Sequence, residues 1–241
     1  MSDSPSTNTQ VVILAGGLGT RLRPITEKIP KPLVEVAGRP YLEWQLLDLK
    51  KQGFRRILLL VSHLGEMIKA TFGDGSSLGM KIDYCFEETP LGTGGAIKNA
   101  LKQLDPHFLL LNGDSFLPLD FKKFATFAET GGFEACLCAY DNRTPTNVPE
   151  NLNVTGGTVS AYAKGAGRQG GMNHVDAGAY YLSKTIFEKI RKSEFQLEDL
   201  WPELIAKKHL GAYIVNERFY DIGTLERLQD FSRFLSDPTL E

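Results

Sequence analysis

Val11-Val12-Ile13-Leu14-Ala15-Gly16-Gly17-Leu18-Gly19-Thr20-Arg21-Leu22-Arg23-Pro24 is the stretch on which the reading of the chain turns. Four apolar residues run without a break into a glycine-rich loop. A short continuous apolar run suits a strand buried on both faces. Glycines directly after it permit positive φ and close backbone approach, so that consecutive N–H groups can converge on a phosphate. Ala15, Gly16, Gly17, Gly19 and Thr20 are therefore candidate phosphate-binding residues. A tight turn with no ligand would use similar glycines. Arg21 separates the two readings, because a guanidinium fixed beside converging amides suits a polyphosphate.

The loop does not fit the better-known phosphate binders. No Gly-Lys pair follows, as G-x-x-x-x-G-K-[ST] requires, and Leu22, just after Arg21, stands where G-x-G-x-x-G would place its last glycine. Pro24, Pro30 and Pro32 rule out the helix that a dinucleotide fingerprint needs after its loop, even though Glu35 lies near the distance of its acidic residue. Ile29-Pro30-Lys31-Pro32-Leu33 follows instead. Its two prolines hold Lys31 in a stiff, extended segment, where an ammonium can serve as a fixed point charge.

Working outward, Val11–Leu14, Ile57–Val61, Ile82–Phe86 and Phe108–Leu111 read as strands, with helices predicted over Pro40–Gln52 and Thr93–Leu104. This alternation predicts right-handed βαβ units in an α/β/α three-layer, Rossmann-like fold with a mainly parallel central sheet, and ligands at the carboxyl ends of its strands. Beyond Asp114 the pattern is mixed. Asn151–Thr155 and Val159–Ala163 flank Gly156-Gly157 as a hairpin. A strand follows at Val175–Leu182, then helices near Lys184–Lys192 and Leu197–Lys208, a strand at Ala212–Val215 and a last helix from about Thr224 to Leu235. Only residues 1–10 read as disordered. The rest reads as one domain on a continuous core, a nucleotide-binding half over about 11–115 joined to a sugar-binding half over about 116–241.

Composition excludes several classes. A formal charge of −2 over 241 residues offers no bulk attraction for nucleic acid or anionic lipid, so anion recognition must come from placed groups. No apolar run approaches the ~20 residues needed to span a bilayer, and the polar start lacks a signal peptide's apolar stretch, which points to a cytoplasmic protein. Cys136 and Cys138 alternate in the apolar run Ala135-Cys136-Leu137-Cys138-Ala139 and read as buried strand thiols on one face. His63, His107, His174 and His209 are scattered, and no transition-metal site is expected.

Two acids close apolar strands or precede turns: Asp114 in Leu111-Asn112-Gly113-Asp114-Ser115, and Asp221 in Tyr220-Asp221-Ile222-Gly223-Thr224. Carboxylates so placed can hold Mg²⁺, which takes oxygen ligands and keeps waters and substrate phosphates in its shell. Each also suits a turn, and Asp221 suits the cap of the last helix. Glu87-Glu88-Thr89-Pro90-Leu91-Gly92-Thr93-Gly94-Gly95-Ala96 is a second glycine-rich turn, in which Thr93 could cap a helix.

The first loop together with Pro30-Lys31-Pro32-Leu33 resembles the signature of the sugar-1-phosphate nucleotidyltransferase family, which joins a nucleoside triphosphate to a sugar 1-phosphate and releases pyrophosphate. The resemblance extends over about Val11 to Asp230. It implies that Arg21 and Lys31 are catalytic, holding phosphates at the reacting centre, and that Asp114 and Asp221 bind Mg²⁺. It also implies that the second turn packs on the nucleobase, with Glu87, Glu88, Pro90, Gly92 and Thr93 in the nucleotide site. A carboxylate there accepts from guanine N1–H and N2–H, or accepts one bond from uracil or thymine.

On the sugar side the resemblance points to Asn112, Lys164, Asp176 and Gly178. The sequence departs there from the family pattern, with Ala163-Lys164-Gly165 where Glu-Lys-Pro is usual and Asp176 in place of asparagine. The second turn, Leu-Asn-Gly-Asp-Ser-Phe and the short C-terminal end most resemble D-glycero-D-manno-heptose 1-phosphate guanylyltransferases. N-acetylmuramate-1-phosphate uridylyltransferases and mannose-1-phosphate guanylyltransferases are the alternatives, and a non-catalytic nucleotide-sugar sensor of the same fold is the rival from another class. The expected partners are a nucleoside triphosphate, GTP first, and a sugar 1-phosphate, without nucleic acid or membrane; self-association into a homo-oligomer is compatible. A glycosyltransferase is disfavoured because the chain contains no Asp-x-Asp.

Overall fold

The computed structural model describes residues 8–17, 19–62, 64–144 and 146–236; Leu18 and His63, both named above, and residues 1–7 of the start lie outside them. In chain order the elements are β1 (Val11–Leu14), β2 (Glu35–Val36), β3 (Arg39–Pro40), α1 (Tyr41–Lys51), β4 (Arg56–Val61), α2 (Gly65–Phe72), β5 (Lys81–Phe86), α3 (Gly92–Asn99), β6 (His107–Asn112), β7 (Ser115–Phe116) and α4 (Phe121–Thr130). There follow β8 (Ala135–Tyr140), β9 (Leu152–Thr155), β10 (Thr158–Tyr162), β11 (Val175–Ser183), α5 (Thr185–Glu188), α6 (Trp201–Ala206), β12 (Leu210–Val215), β13 (Tyr220–Asp221) and α7 (Leu225–Leu235).

Nine strands form one sheet in the order β5-β4-β1-β6-β11-β8-β12-β10-β9. The pairings leave only β11 and β10 reversed, so seven of the nine strands run one way. Strand alternation explains the layers. Val11, Ile13, Ile57, Leu59 and Val61 face one core with Leu42 and Leu46 of α1, Ile68 of α2 and Phe124 of α4. Val12, Leu58 and Leu60 face the other, with Ile97 of α3, Phe187 of α5 and Leu204 of α6. A strand buried on both faces needs apolar residues at every position, which is why these strands read as unbroken runs.

Cys136 and Cys138 share the first core, and burial raises both thiols, Cys136 to about 12. Gly156 and Gly157 both adopt positive φ and join β9 to β10 as a two-residue turn, with Thr155 opposite Thr158. The predicted helices are shorter than expected. Thr93–Leu104 ends at Asn99 before a separate turn at Leu101–Gln103, Lys184–Lys192 reduces to α5, and Leu197–Lys208 opens as a 3₁₀ turn over Leu197–Leu200.

Two helices, α2 and α4, occupy stretches for which no element was expected; α4 is capped by Asp120, whose side chain accepts from Lys122 N–H and Lys123 N–H. Gln10 is the last residue of the stretch that the sequence predicts as disordered. That residue is buried, and its amide bonds Gln103 O and Asp105 N–H.

Strand order reverses at β1, because β4 lies on one side of it and β6 on the other. Connections leave such a point in opposite directions and open a crevice at the strand ends.

Candidate active site

A cleft of about 770 Å³ opens there, lined by the end of β1 through Gly17, by Lys31, Ser62, the turn Glu87–Pro90, the start of α3 and the end of β6 through Asp114. It gathers Ala15, Gly16, Gly17, Lys31, Glu87, Glu88, Pro90, Gly92, Thr93, Asn112 and Asp114 from the candidates named above. Gly19, Thr20, Arg21, Asp221, Lys164, Asp176 and Gly178 do not line it.

The glycines of the first loop serve different needs. Ala15 N–H bonds Leu60 O at 2.8 Å, continuing the sheet, and Ser62 hydroxyl donates to Gly16 O at 2.5 Å. A β-carbon on Gly17 would meet nothing within 4 Å, since the loop faces open space there. Of these three glycines only Gly19 is left-handed, at φ 60°, where a β-carbon would stand 2.9 Å from Thr26 and 3.3 Å from Lys31. The positive φ expected of the loop therefore belongs to Gly19, whose turn packs on the stem of Lys31.

Lys31 is buried, with 7% of its surface exposed, and its Nζ donates to Asp114 Oδ2 at 2.6 Å. Asp114 is placed by Gly113, whose N–H bonds Leu14 O at 3.0 Å; a β-carbon at Gly113 would lie 2.4 Å from that oxygen. Asp221 arrives beside it through a short ladder. β13 pairs with β7 so that Asp221 faces Ser115, and Ile222 N–H bonds Asp114 O at 3.0 Å. Beneath both acids lies Tyr41, fully buried, its phenol raised far above its ordinary range first by burial and then by the two carboxylates.

Asp221 does not cap the last helix. Thr224 does, accepting from Arg227 N–H at 3.3 Å. Gly223 explains the glycine of Asp-x-Gly-Thr: a β-carbon there would stand 2.6 Å from Asp221 Oδ1 and 3.2 Å from Arg21 Nη2. The guanidinium of the exposed Arg21 thus lies beside Gly223, near the second acid. Arg227, unremarked in the sequence, forks onto Asp221 at 3.1 and 3.0 Å. Lys31 and Arg227 each pair with one of the two carboxylates, and the Arg21 guanidinium stands close by at Gly223.

The donor set suits a hard divalent cation, since Asp114 and Asp221 supply two adjacent carboxylates. Among the described residues no cluster of three His, Cys, Asp or Glu forms, so any such ion here would complete its shell from waters and phosphates, as Mg²⁺ does.

The second glycine-rich turn is held from the other half of the chain. Gly94 N–H and Gly95 N–H both bond Phe195 O, at 3.0 and 3.1 Å, and Phe195 N–H bonds Leu91 O. A β-carbon would stand 2.6 Å from Phe195 O at Gly92, 2.3 Å from the Phe195 ring at Gly94 and 2.4 Å from Ser193 O at Gly95. These glycines make room for the 193–197 segment. Thr93 is not a cap: its hydroxyl accepts Leu197 N–H at 2.8 Å and meets Gln196 Oε1 at 3.2 Å. Gln196, a second residue missed in the sequence, thereby lines the cleft. Glu87 accepts Leu91 N–H at 3.1 Å, and burial raises its carboxyl; Glu88 is exposed.

On the sugar side, Gly178 is left-handed (φ 77°) within a bulge of β11, and a β-carbon there would lie 2.6 Å from Asn112 Nδ2. Asp176 has a partner within the protein on each carboxylate oxygen. It accepts Gly178 N–H at 3.0 Å and Tyr180 hydroxyl at 2.9 Å, and burial pushes its carboxyl up to about 6. Lys164 is exposed and pairs with Glu198 at 3.1 Å. Asn112 thus meets Gly178, and Gly178 meets Asp176, in a polar line running from the cleft into the second half.

A glycine-rich loop, an acid pair with cation partners and a clamped turn gathered at one sheet crevice suit a nucleotide-handling α/β protein. Residues 10–237 match the nucleotidyl transferase family. The chain is 38% identical to the D-glycero-alpha-D-manno-heptose 1-phosphate guanylyltransferase of Campylobacter jejuni over 94% of its own length and 98% of the relative's. It is 32% identical to the mannose-1-phosphate guanylyltransferase of Mycobacterium tuberculosis over 94% of its own length and 63% of the relative's. The structure of HddC from Yersinia pseudotuberculosis, complexed with GMP-PN, superposes with a TM-score of 0.79 at 33% identity, over 94% of this chain and 99% of that one. The chain belongs to the nucleotidyl transferase family, in the sugar-1-phosphate branch these relatives represent.

Proposed function

We propose that the chain transfers a guanylyl group from GTP to a sugar 1-phosphate, D-glycero-α-D-manno-heptose 1-phosphate first among candidates, in the cytoplasm. The observation that carries the reaction is the convergence of Lys31, Asp114, Asp221 and Arg21 at the mouth of the glycine loop. The base and sugar rest on likeness to the heptose enzymes over nearly the whole length of both chains.

The second ionisation of a phosphate lies near pH 6, so the sugar phosphate is already a nucleophile at neutral pH and no base is required. Its oxygen attacks the α-phosphorus in line, the bond from the α-phosphorus to the bridging oxygen breaks, and pyrophosphate leaves with the electron pair. Catalysis then consists of alignment and charge neutralisation. A divalent cation on Asp114 and Asp221, Mg²⁺ by preference, would neutralise charge on the reacting phosphates. Lys31 and Arg21 act on the same charge from fixed positions, while the 15–17 backbone cradles the phosphates. Glu88, exposed on the cleft wall, and Glu87 offer acceptors to guanine N1–H and N2–H. Asn112 and the backbone at Gly178 meet the sugar, with Asp176 holding the bulge and Lys164 at its outer edge.

Pyrophosphate release across a panel of triphosphates and sugar phosphates tests this. GTP with the heptose phosphate should give the highest kcat/KM. Preference for UTP would overturn the base, preference for mannose 1-phosphate the sugar, and nucleotide binding without pyrophosphate release the enzymatic reading itself.

A further inference from the structure

Asp221 is the more enclosed of the two acids assigned to a divalent cation, with 12% of its side chain exposed against 36% for Asp114. Both of its oxygens are occupied. Arg227 Nη1 donates to Oδ1 at 3.1 Å and to Oδ2 at 3.0 Å, and Gly223 N–H donates to Oδ1 at 2.7 Å. The other arm of the guanidinium is engaged as well, since Nη2 donates to Asn147 O at 2.9 Å. Arg227 stands in the first turn of α7, which is capped by Thr224 and anchored by the fully buried Phe231. A cation on a packed helix, forked onto one carboxylate and tied to a second loop, is a built arrangement. It is unlike the ion pair of an exposed Lys207 with Glu203.

We propose that Arg227 is the resident counter-ion of Asp221, and that a divalent cation gains this carboxylate only by exchange with it. The proposal rests on the reading of Asp221 as a metal ligand. An enclosed carboxylate without a partner is unfavourable, and the guanidinium satisfies it before a metal arrives. A carboxylate sharing both oxygens with a guanidinium is a weaker ligand than a bare one, because metal entry must break charge-assisted hydrogen bonds. Asp114 is balanced in the same way by Lys31 at 2.6 Å. The metal therefore binds weakly on its own, and arriving phosphates favour it twice: they add ligands and give the released cations an anion to face. Arg227 is a positioning residue here, acting on the metal through Asp221.

The test measures metal binding without turnover. Mn²⁺ alone is titrated into wild-type protein, Arg227→Gln, Arg227→Lys and Asp221→Asn by calorimetry, with melting temperature recorded with and without the ion. Arg227→Gln should melt below wild type without metal, bind Mn²⁺ on the order of tenfold more tightly and recover more melting temperature on adding it. Equal or weaker Mn²⁺ binding by Arg227→Gln, whatever its stability, would overturn the proposal. Should that variant fail to fold, Arg227→Lys keeps a charge but has no second nitrogen to tie it to Asn147 O, and must still bind the ion more tightly than wild type. Asp221→Asn separates the two layers of the argument. If it leaves Mn²⁺ affinity unchanged, the metal assignment fails; if it weakens binding while the Arg227 variants gain nothing, only the counter-ion role fails.

Discussion

Lys31 has two duties that a single substitution separates. Its ammonium balances Asp114 at 2.6 Å, and in the proposed reaction it neutralises phosphate charge. Lys31→Ala should lower kcat/KM by about 100-fold, the usual range for one preorganised electrostatic contact, while changing the melting temperature far less. Steady-state pyrophosphate release, paired with thermal melts, checks both halves of that statement.

Asp176 makes a pH prediction. Its folded carboxyl is raised to about 6, chiefly by burial, above the ordinary value near 4 that applies when unfolded. The folded state therefore holds the extra proton between those values, and stability falls as pH rises from about 4 to 6. Asp176→Asn removes that dependence. It should be as stable as wild type near pH 4 and more stable near pH 7.5, by about 1–3 kcal/mol. Denaturant melts at the two pH values measure it, and an equal difference at both would contradict the burial argument.

At the scale of elements, the decisive contact is the one between the 91–95 turn and the 193–197 segment. Ser193, Phe195 and Gln196 of one strip lie against three glycines of the other so closely that no β-carbon fits at 92, 94 or 95 without movement. Gly94→Ala must displace the Phe195 ring, which stands 2.3 Å from where the new carbon would lie. It should destabilise the fold by about 1–3 kcal/mol and raise KM for the nucleotide more than KM for the sugar phosphate. Kinetics with each substrate varied in turn decide this; a rise confined to the sugar phosphate would contradict the placement of this turn on the nucleotide. The ladder between β7 and β13 is the other short element with large consequences, because two residue pairs carry Asp221 to Asp114.

At the scale of the molecule, nucleotide binding should knit together segments from opposite ends of the chain, since the cleft wall contains both Ala15 and Gln196. Mg²⁺ with a non-hydrolysable GTP analogue at about 100 times Kd stabilises the folded state by ~2.7 kcal/mol. For a chain of this size that corresponds to a rise of roughly 5–10 °C in melting temperature. Thermal melts with UTP and GTP analogues at one concentration read the base preference in the same measurement.

The α/β class, the strands through the first half, the hairpin at Gly156-Gly157 and the order of loop, lysine and two acids were legible in the chain itself. Buried strands announce themselves as apolar runs, and glycine and proline mark local backbone geometry. What only the tertiary structure decided is which residues meet. The second glycine-rich turn, Gly92 among its residues, read as packing on the nucleobase, and its Gly92, Gly94 and Gly95 also serve a close crossing with the 193–197 segment. Asp176 reads as a sugar contact and has its oxygens turned inward to Gly178 and Tyr180. Arg227 carries no local motif, and the capping box of Gln196 with Asp199 does not point to the cleft. The partners of Gln196 and Arg227, Thr93 and Asp221, are brought to them by the sheet and by the packing of α7. A contact between distant segments is fixed by the packing of whole elements and leaves no periodicity in either stretch of sequence.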